Sequence, residues 1–88
     1  MTWQVEFDDR ALKELRKLDR PIQHQILRFL RRRIAIEDNP RRLCSPLTGD
    51  LHGLWRYRVG PYRLICRIED NRLIVLVLGV GHRREVYR

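Results

Sequence analysis

Hydrophobic and polar residues alternate at the start of the chain, and a helical pattern follows. Trp3, Val5 and Phe7 alternate with polar residues, which is typical of a strand with one buried face. Asp8 or Asp9 can cap a helix, because each offers a side-chain oxygen to the first free backbone N–H groups. The apolar residues that follow have helical spacing: Ala11, Leu12, Leu15 and Leu18.

A second, longer helix is predicted after a short turn. Asp19 and Pro21 mark its start, and Pro40 is expected to end it. Its predicted buried stripe consists of Ile22, Ile26, Phe29, Leu30 and Ile34, and its polar side carries Arg28, Arg31 and Arg32. The short spacing between the two helices predicts an antiparallel helical hairpin.

The second half of the chain has the period of β-strands. Residues 40–53 contain two prolines and two glycines and are predicted to form a loop. Strands are predicted over residues 54–59, 62–68 and 72–80, separated by turns at Gly60-Pro61 and Asp70-Asn71. The order β-α-α-β-β-β predicts an α+β fold, in which the N-terminal helical hairpin packs on a small, mostly antiparallel twisted sheet. We expect residues 1–88 to form one domain.

Strand alternation predicts a cluster of arginines on one face of this sheet. If Gly60-Pro61 is a two-residue turn, Val59 faces Tyr62 and Arg58 faces Arg63. One face then carries apolar and aromatic residues for the core, and the opposite face carries Arg56, Arg58, Arg63 and Arg67. Like charges opposite each other destabilise a sheet, and an anionic ligand reverses that effect. We therefore predict a phosphate site, the alternative being that the arginines extend into water.

The same register predicts an apolar strip beside the arginines, made of Ile65, Ile74, Leu76 and Leu78. The short chain has no spare helix to cover Leu76 and Leu78, and exposed apolar surface of this kind marks a partner interface.

Composition supports a polyanion partner. Nineteen basic residues, seventeen of them arginine, oppose eleven acidic ones and give a net charge of +8. Such a balance is typical of proteins that bind nucleic acid. Cys44 and Cys66 have no metal-ligand spacing, so reduced thiols and no metal or cofactor are expected. The N-terminus has no export signal and the longest apolar run is of strand length, which predicts a cytoplasmic protein with no membrane partner.

The last residues supply groups that could act on a bound phosphate. His82 can transfer protons near neutral pH, and Tyr87 can stack on a base or act in acid–base chemistry. Arg83 could stabilise a phosphorane-like charge. Each of these roles requires that the residue lies near the arginines of the sheet.

Three segments together resemble a known family. Residues 54–65 (LWRYRVGPYRLI), 80–87 (VGHRREVY) and 7–18 (FDDRALKELRKL) are similar to the RelE branch of the RelE/ParE superfamily of type II toxin–antitoxin toxins. The resemblance implies a cytoplasmic toxin that enters the A site of the small (30S) ribosomal subunit. There it would cleave mRNA without a metal, by attack of the 2′-hydroxyl on the adjacent phosphate. By position, the resemblance assigns the catalytic basic residues to Arg56, Arg58, Arg63 and Arg83, and the tyrosine to Tyr87.

The resemblance also implies partners and leaves alternatives open. A cognate antitoxin is expected to wrap and disable the toxin, in a heterotetramer or larger complex. The family often has lysine at positions 56 and 58, and arginine cannot lose its proton at a useful pH. Proton transfer would therefore fall to Tyr87 or His82. The alternatives are a ParE-like inhibitor of DNA gyrase and a non-catalytic degenerate toxin or RNA-binding module.

Overall fold

Two helices pack against one face of a mixed sheet in the computed structural model, which describes residues 2–82. This arrangement confirms the predicted α+β class. In chain order the strands and α-helices of this range are β1 (Gln4–Phe7), α1 (Asp9–Arg16), α2 (Arg20–Phe29), β2 (Ser45–Pro46), β3 (Trp55–Val59), β4 (Tyr62–Glu69) and β5 (Ile74–His82).

The strand order of the sheet is β1-β5-β4-β3-β2. β1 pairs with β5 in parallel, and all the other pairs are antiparallel, as predicted. The short strand β2 is a correction, because residues 40–53 were expected to form only a loop. Its two residues lie opposite Arg56 and Trp55, and two residues are too few to show alternation in a sequence.

Local sequence explains where the helices begin. The Asp8 carboxylate, one of the two caps predicted, caps α1 by accepting the Ala11 N–H at 2.8 Å. α2 follows Asp19 and has Pro21 in its first turn, where a missing N–H costs nothing.

The end of the second helix differs from the prediction. α2 continues into a π-helical turn, Leu30–Ile34, in which the Ala35 N–H donates to the Leu30 carbonyl at 2.9 Å. The helix therefore ends well before Pro40, which instead begins a short 3-10 turn, Pro40–Leu43. The chain leaves the helix early where the Ala35 carbonyl accepts the Trp3 N–H at 2.7 Å and so joins the segment before β1.

The core lies between the helices and the sheet face that they cover, here called the helix face. Its buried residues come from the segment before β1, both α-helices, the π-helical turn and strands β3 to β5: Trp3, Ala11, Leu15, Ile26, Leu30, Ile34, Tyr57, Val59, Leu64, Cys66, Ile68, Val75, Val77 and Val80. Cys66 and Cys44 are free thiols, as predicted, and Cys66 is a core residue.

Hydrogen bonds fix the start of the loop to the sheet. The buried Tyr57 hydroxyl donates to the Pro40 carbonyl at 2.7 Å, and the Cys44 thiol donates to the same oxygen at 3.6 Å. Burial raises the pKa of both the Tyr57 phenol and the Cys44 thiol, so both keep their protons. Next to them, Arg41 forms a bidentate ion pair with Asp70 at 2.8 and 2.7 Å and lies over the Trp55 ring.

A β-bulge changes the alternation of side chains in β5. Cys66 pairs with Val77, but Ile65 pairs with Gly79, so Leu78 is an extra residue in β5. After the bulge, Val80 and His82 lie opposite Leu64 and Tyr62, on the helix face. Beyond the bulge β5 extends past β1, and the Val80 N–H donates to the Glu14 carboxylate of α1 at 2.9 Å.

Candidate nucleic-acid interface on the sheet

The turn between β3 and β4 sets the register of the candidate site. Gly60 has a φ of 58°, whereas the proline ring of Pro61 requires a negative φ. A positive φ at the first central position alone defines a type II′ turn, the usual two-residue connection of a hairpin. The predicted pairs Val59–Tyr62, Arg58–Arg63, Tyr57–Leu64 and Trp55–Cys66 are all confirmed.

The arginine face is the side of the sheet opposite the helices, and it carries Arg56, Arg58, Arg63 and Arg67. Arg58 lies directly opposite Arg63, and Arg56 lies two residues before Arg58 on the same strand face. Arg63 is only 7% exposed, Arg56 is half-buried and Arg58 is exposed. The Arg63 guanidinium donates to the Tyr62 carbonyl at 3.4 Å. A buried arginine opposite another arginine places two fixed positive charges at one end of the hairpin.

Arg67 lies beside a carboxylate on this face. Its Nε lies 3.4 Å from Glu69, and Glu69 also pairs with Arg72 at 3.0 Å. Glu69 therefore relieves the charge on this face at Arg67. Since Glu69 follows Arg67 by two residues, strand alternation in the sequence was sufficient to predict this pair.

The apolar strip on this face is less exposed than predicted. Ile65 and Ile74 are buried, and Leu76 and Leu78 are half-buried. Leu76 lies opposite Arg67, as the register predicted, but Leu78 is the extra residue of the bulge. The strip therefore forms part of the packed sheet, and Arg58 and Arg67 are more exposed than any residue of the strip.

The structure does not bring His82 to the arginines. Its partner in the register is Tyr62, and the two rings contact edge to face with centroids 5.9 Å apart on the helix face. The residues opposite Arg63 and Ile65 are instead Gly81 and Gly79. Arg83 and Tyr87, the other two predicted site residues, lie outside the described residues.

Two glycines are the part of the site that sequence reasoning missed. Gly79 and Gly81 lie on the arginine face beside Ile65 and Arg63 and present no side chain there. A Cβ at Gly79 would meet the Ile65 Cβ at 3.7 Å, so larger side chains would fill the space next to the arginines. The Gly-x-Gly spacing was the available signal, because alternation puts both glycines on the same face.

Residues 2–82 offer neither a cluster of metal ligands nor a membrane-spanning helix. No group of three His, Cys, Asp or Glu side chains in this range could hold a metal ion. Within the same range, no helix has the length and apolar character needed to cross a membrane.

Comparison with known proteins defines the class of this small basic fold. Residues 5–87 match the family described as ParE toxin of type II toxin–antitoxin system, parDE. The toxin RelG of Mycobacterium tuberculosis is 35% identical over 88 residues, which cover 100% of this chain and 99% of RelG. The mRNA interferase toxin RelE of Escherichia coli is 34% identical over 91 residues, covering 99% of this chain and 92% of that protein.

A solved structure agrees with these relatives. The RelBE2 toxin–antitoxin complex of M. tuberculosis contains a chain that superposes with a TM-score of 0.86 at 33% identity, covering 97% of this chain and 95% of that one. The fold and the arginine face thus define a toxin of the RelE/ParE superfamily. The chain belongs to the RelE branch of this superfamily, as its sequence motifs predicted.

Proposed function

We propose that this protein is the toxin of a type II toxin–antitoxin system and acts as an mRNA interferase. It cleaves mRNA in the ribosomal A site and so inhibits translation. The observation that carries this proposal is the pair of facing arginines, Arg58 and Arg63, in a chain similar over its full length to an mRNA interferase. Two arginines at opposed positions of a hairpin suit a phosphate that gains negative charge during reaction.

The proposed reaction is an internal transfer of the phosphoryl group. The 2′-oxygen of the nucleotide attacks the adjacent phosphorus and loses its proton, forming a new P–O bond. The bond from phosphorus to the 5′-oxygen breaks, and that oxygen takes up a proton. The products are a 2′,3′-cyclic phosphate and a 5′-hydroxyl. Arg56, Arg58 and Arg63, with Arg83, would hold the phosphate and stabilise the extra charge of the transition state.

The protons must be moved by other groups, because arginine stays protonated at any useful pH. Strand register puts the His82 imidazole on the helix face, away from the arginines. This position favours Tyr87 over His82 as the residue that transfers a proton. The assignment leaves His82 with a packing contact to Tyr62.

The same proposal specifies a protein partner and a location. A cognate antitoxin would bind the toxin and block its activity, and the similarity to a chain of the RelBE2 toxin–antitoxin complex supports such a partner. A ribosomal target requires that the toxin acts in the cytoplasm. The nuclease itself would use no metal or cofactor, since the positive charge comes from arginine side chains.

Cleavage of mRNA by substituted toxins, expressed under an inducible promoter, tests the arginine site. We expect Arg63→Ala and Arg83→Ala each to reduce mRNA cleavage by about 100-fold or more, because each removes a donor to the transition-state charge. Arg67→Ala is the matched control, since Arg67 is paired with Glu69 and lies outside the proposed site. Cleavage is measured by primer extension on ribosome-bound mRNA. Because Arg63 is buried, thermal unfolding of Arg63→Ala shows whether that variant still folds. Full cleavage by both site variants would contradict the proposal.

A second pair of variants tests the proton transfer. Tyr87→Phe should lower single-turnover cleavage by about 100-fold or more, whereas His82→Gln should change it by less than about threefold. The reverse result would assign the step to His82.

The name of the matching family gives a specific reason to test DNA gyrase as the alternative target. Purified toxin should leave gyrase supercoiling unchanged at concentrations that arrest translation in a cell-free system. Inhibition of supercoiling without mRNA cleavage would establish the gyrase alternative. A toxin that binds ribosomes without cleaving would instead be a non-catalytic module.

A further inference from the structure

One contact away from the arginine face joins α1 to the end of β5. The Glu14 carboxylate accepts the Val80 N–H through its Oε1 atom at 2.9 Å. Its other oxygen, Oε2, lies 3.6 Å from the Arg10 guanidinium, so the two oxygens have separate partners. The Glu14 side chain is only 31% exposed. A half-buried carboxylate that accepts a backbone N–H forms a strong hydrogen bond, so this contact can fix the strand.

The amphipathic pattern of α1 directs Glu14 to the strand. Ala11 and Leu15 are buried in the core, and Glu14 lies beside them at the border of the buried face of the helix. Ala11 and Glu14 are three residues apart, so they are neighbours on the helix surface. The side chain of Glu14 therefore starts close to the sheet and reaches past the apolar contacts to the backbone of β5.

β5 has strand partners on both sides only in its first half. β1 pairs with residues 74–77 of β5, whereas β4 pairs with β5 as far as His82. Within residues 2–82, the segment 79–82 therefore has a strand partner on one side only. The Val80 N–H points to the other side, where Glu14 takes the place of a strand as its acceptor.

Side-chain packing does little to hold this end of β5. A groove of about 460 Å³ lies between α1 and the strand, and Gly81 and His82 form its strand side. Gly81 has no side chain to pack, and His82 is exposed. The Glu14 Oε1 atom contacts the strand just before these residues, since it also lies 3.7 Å from the position that a Cβ would take at Gly79. The hydrogen bond to Val80 is therefore well placed to fix the strand end.

The same stretch of β5 forms part of the proposed reaction site. Gly81 lies opposite Arg63, and both glycines of this stretch are on the arginine face. On its other side, Arg63 lies opposite Arg58. A shift of β5 would therefore move the backbone beside the Arg63 guanidinium. Reactions that depend on oriented groups are sensitive to such shifts, because a misplacement of about 1 Å can lower a rate by about 100-fold.

We propose that Glu14 is a positioning residue for mRNA cleavage, because its hydrogen bond to the Val80 N–H fixes the end of β5 beside the arginine site. This inference rests on the proposed function. Glu14 touches no substrate and transfers no proton. It acts as an acceptor of fixed reach, so an uncharged oxygen at the same place would serve equally well. Loss of the bond should slow the chemical step more than it weakens binding, since the arginines that hold the phosphate are retained.

Three variants separate the reach of Glu14 from its charge. Glu14→Ala removes the acceptor. Glu14→Asp keeps the charge but is shorter by one methylene, so its oxygens no longer reach the Val80 N–H. Glu14→Gln loses the charge but keeps an amide oxygen at the original distance.

Two controls separate positioning from other effects of these substitutions. Arg10→Ala removes only the partner of Oε2 and leaves the bond to Val80. Ile26→Val opens a small cavity in the core under α2, far along the chain from β5, and lowers stability by a comparable amount. Thermal unfolding of every variant sets an assay temperature at which all of them are folded.

The measurement is single-turnover cleavage on ribosomes that carry mRNA and an empty A site, over a range of toxin concentrations. The rate at saturation reports the chemical step, and the half-saturating concentration reports binding. Glu14→Ala and Glu14→Asp should lower the saturating rate by about 10-fold or more and change the half-saturating concentration by less than about threefold. Glu14→Gln and both controls should stay within about threefold of wild type in both quantities.

Several outcomes would overturn the inference. Wild-type rates in both Glu14→Ala and Glu14→Asp refute the positioning role and leave the proposed function intact. Slow cleavage by Glu14→Gln with normal cleavage by Glu14→Asp shows that the charge acts and the reach does not. Equally slow cleavage by Ile26→Val means that lost stability lowers the rate. If Glu14→Ala does not fold, the comparison of Glu14→Asp with Glu14→Gln still decides. Wild-type toxin that cleaves no mRNA refutes the inference and the proposed function together.

Discussion

Tyr57 links the centre of the sheet to the start of the long loop through one hydrogen bond. Its side chain is fully buried, its ring contacts Phe29 edge to face, and its hydroxyl donates to the Pro40 carbonyl. Without this hydroxyl the buried Pro40 carbonyl would keep only the weak Cys44 thiol donor at 3.6 Å, and this loss costs free energy. The Tyr57 hydroxyl therefore contributes to the position of the loop as well as to the stability of the core.

We predict that Tyr57→Phe lowers the free energy of unfolding by about 1–2 kcal/mol, because it removes this bond and leaves the ring in place. Urea unfolding of the purified protein gives the value. Tyr62→Phe is the control, because the Tyr62 hydroxyl forms no side-chain hydrogen bond among the described residues, and we expect a change below about 0.5 kcal/mol. Equal effects of the two substitutions would show that the Pro40 bond has no special role.

The ion pair of Arg41 with Asp70 should make stability depend on pH in the acid range. The hydrogen bond from Arg41 lowers the pKa of Asp70 below its ordinary value of 3.8. A carboxyl with a lowered pKa stabilises the fold at pH values above its unfolded pKa, and this contribution is lost as the pH falls through the folded pKa. Because Asp70 is exposed, the effect is small.

We therefore predict that Asp70→Asn is less stable than wild type by less than about 1 kcal/mol, equally at pH 7 and pH 5. The difference should vanish as the pH falls below about 4. Thermal unfolding across this range measures it, with Asp50→Asn as an exposed control. A difference that grows toward low pH would contradict the assigned direction of the shift.

The strand position of single residues in the candidate site was predictable from the sequence where a regular two-residue turn sets the pairing. The facing of Arg58 and Arg63 followed from the two-residue turn at Gly60-Pro61. The pairing of Arg67 with Glu69 was missed although both residues lie on one strand face. The buried state of Arg63 depends on tertiary packing, which the sequence of one strand does not contain.

Among the secondary-structure elements, α1 has a role that its amphipathic pattern does not reveal. It packs on the helix face through Ala11 and Leu15, and it also covers the edge of β5 beyond the end of β1. The Glu14 carboxylate accepts the Val80 N–H there, so a helix side chain completes the hydrogen bonding of a strand. Without it, that N–H would be a free edge donor.

Glu14→Ala should lower the free energy of unfolding by about 1–2 kcal/mol, although alanine is the better helix former. Arg10→Ala separates the two roles of Glu14, since it removes only the exposed ion pair at 3.6 Å and should change stability by less than about 0.5 kcal/mol. Amide hydrogen exchange at Val80 provides the direct measurement, with faster exchange expected in Glu14→Ala. Slow exchange at Val80 in that variant would mean that another acceptor holds the N–H.

The elements themselves were mostly predictable, and the exceptions share a cause. Capping residues and periodicity were sufficient for both helix starts and for β3 and β4. Two exceptions add one residue to a regular period: the π-helical turn and the bulge at Leu78. The third exception, β2, has only two residues and is too short to show a period. Contacts between distant segments fix these irregularities, so sequence periodicity could not.

At the scale of the whole molecule, positive charge is concentrated rather than evenly spread. A groove beside the arginine face is lined by Arg28, Arg32, Arg33 and Arg58. The ion pairs of Arg10, Arg41 and Arg42 lie on other surfaces. With a net charge of +8, the folded chain repels itself. Added salt screens this repulsion, because the Debye length falls from tens of ångströms to a few.

We predict that the Tm of the free toxin rises by roughly a few degrees between about 20 and about 500 mM NaCl. Arg28→Gln/Arg32→Gln/Arg33→Gln should raise the Tm at low salt and reduce this dependence, since it removes three charges from the most crowded surface. Differential scanning calorimetry measures both. A Tm that falls with added salt would show that attractive ion pairs outweigh the repulsion.

The bulge in β5 holds one residue that has no partner in β4, so the ladder on either side of it does not depend on that residue. Deleting Leu78 would join Val77 directly to Gly79 and leave a regular ladder, in which Gly79 still lies opposite Ile65 and His82 still lies opposite Tyr62. The chain can therefore lose one residue at this point while both glycines stay on the arginine face and His82 stays on the helix face.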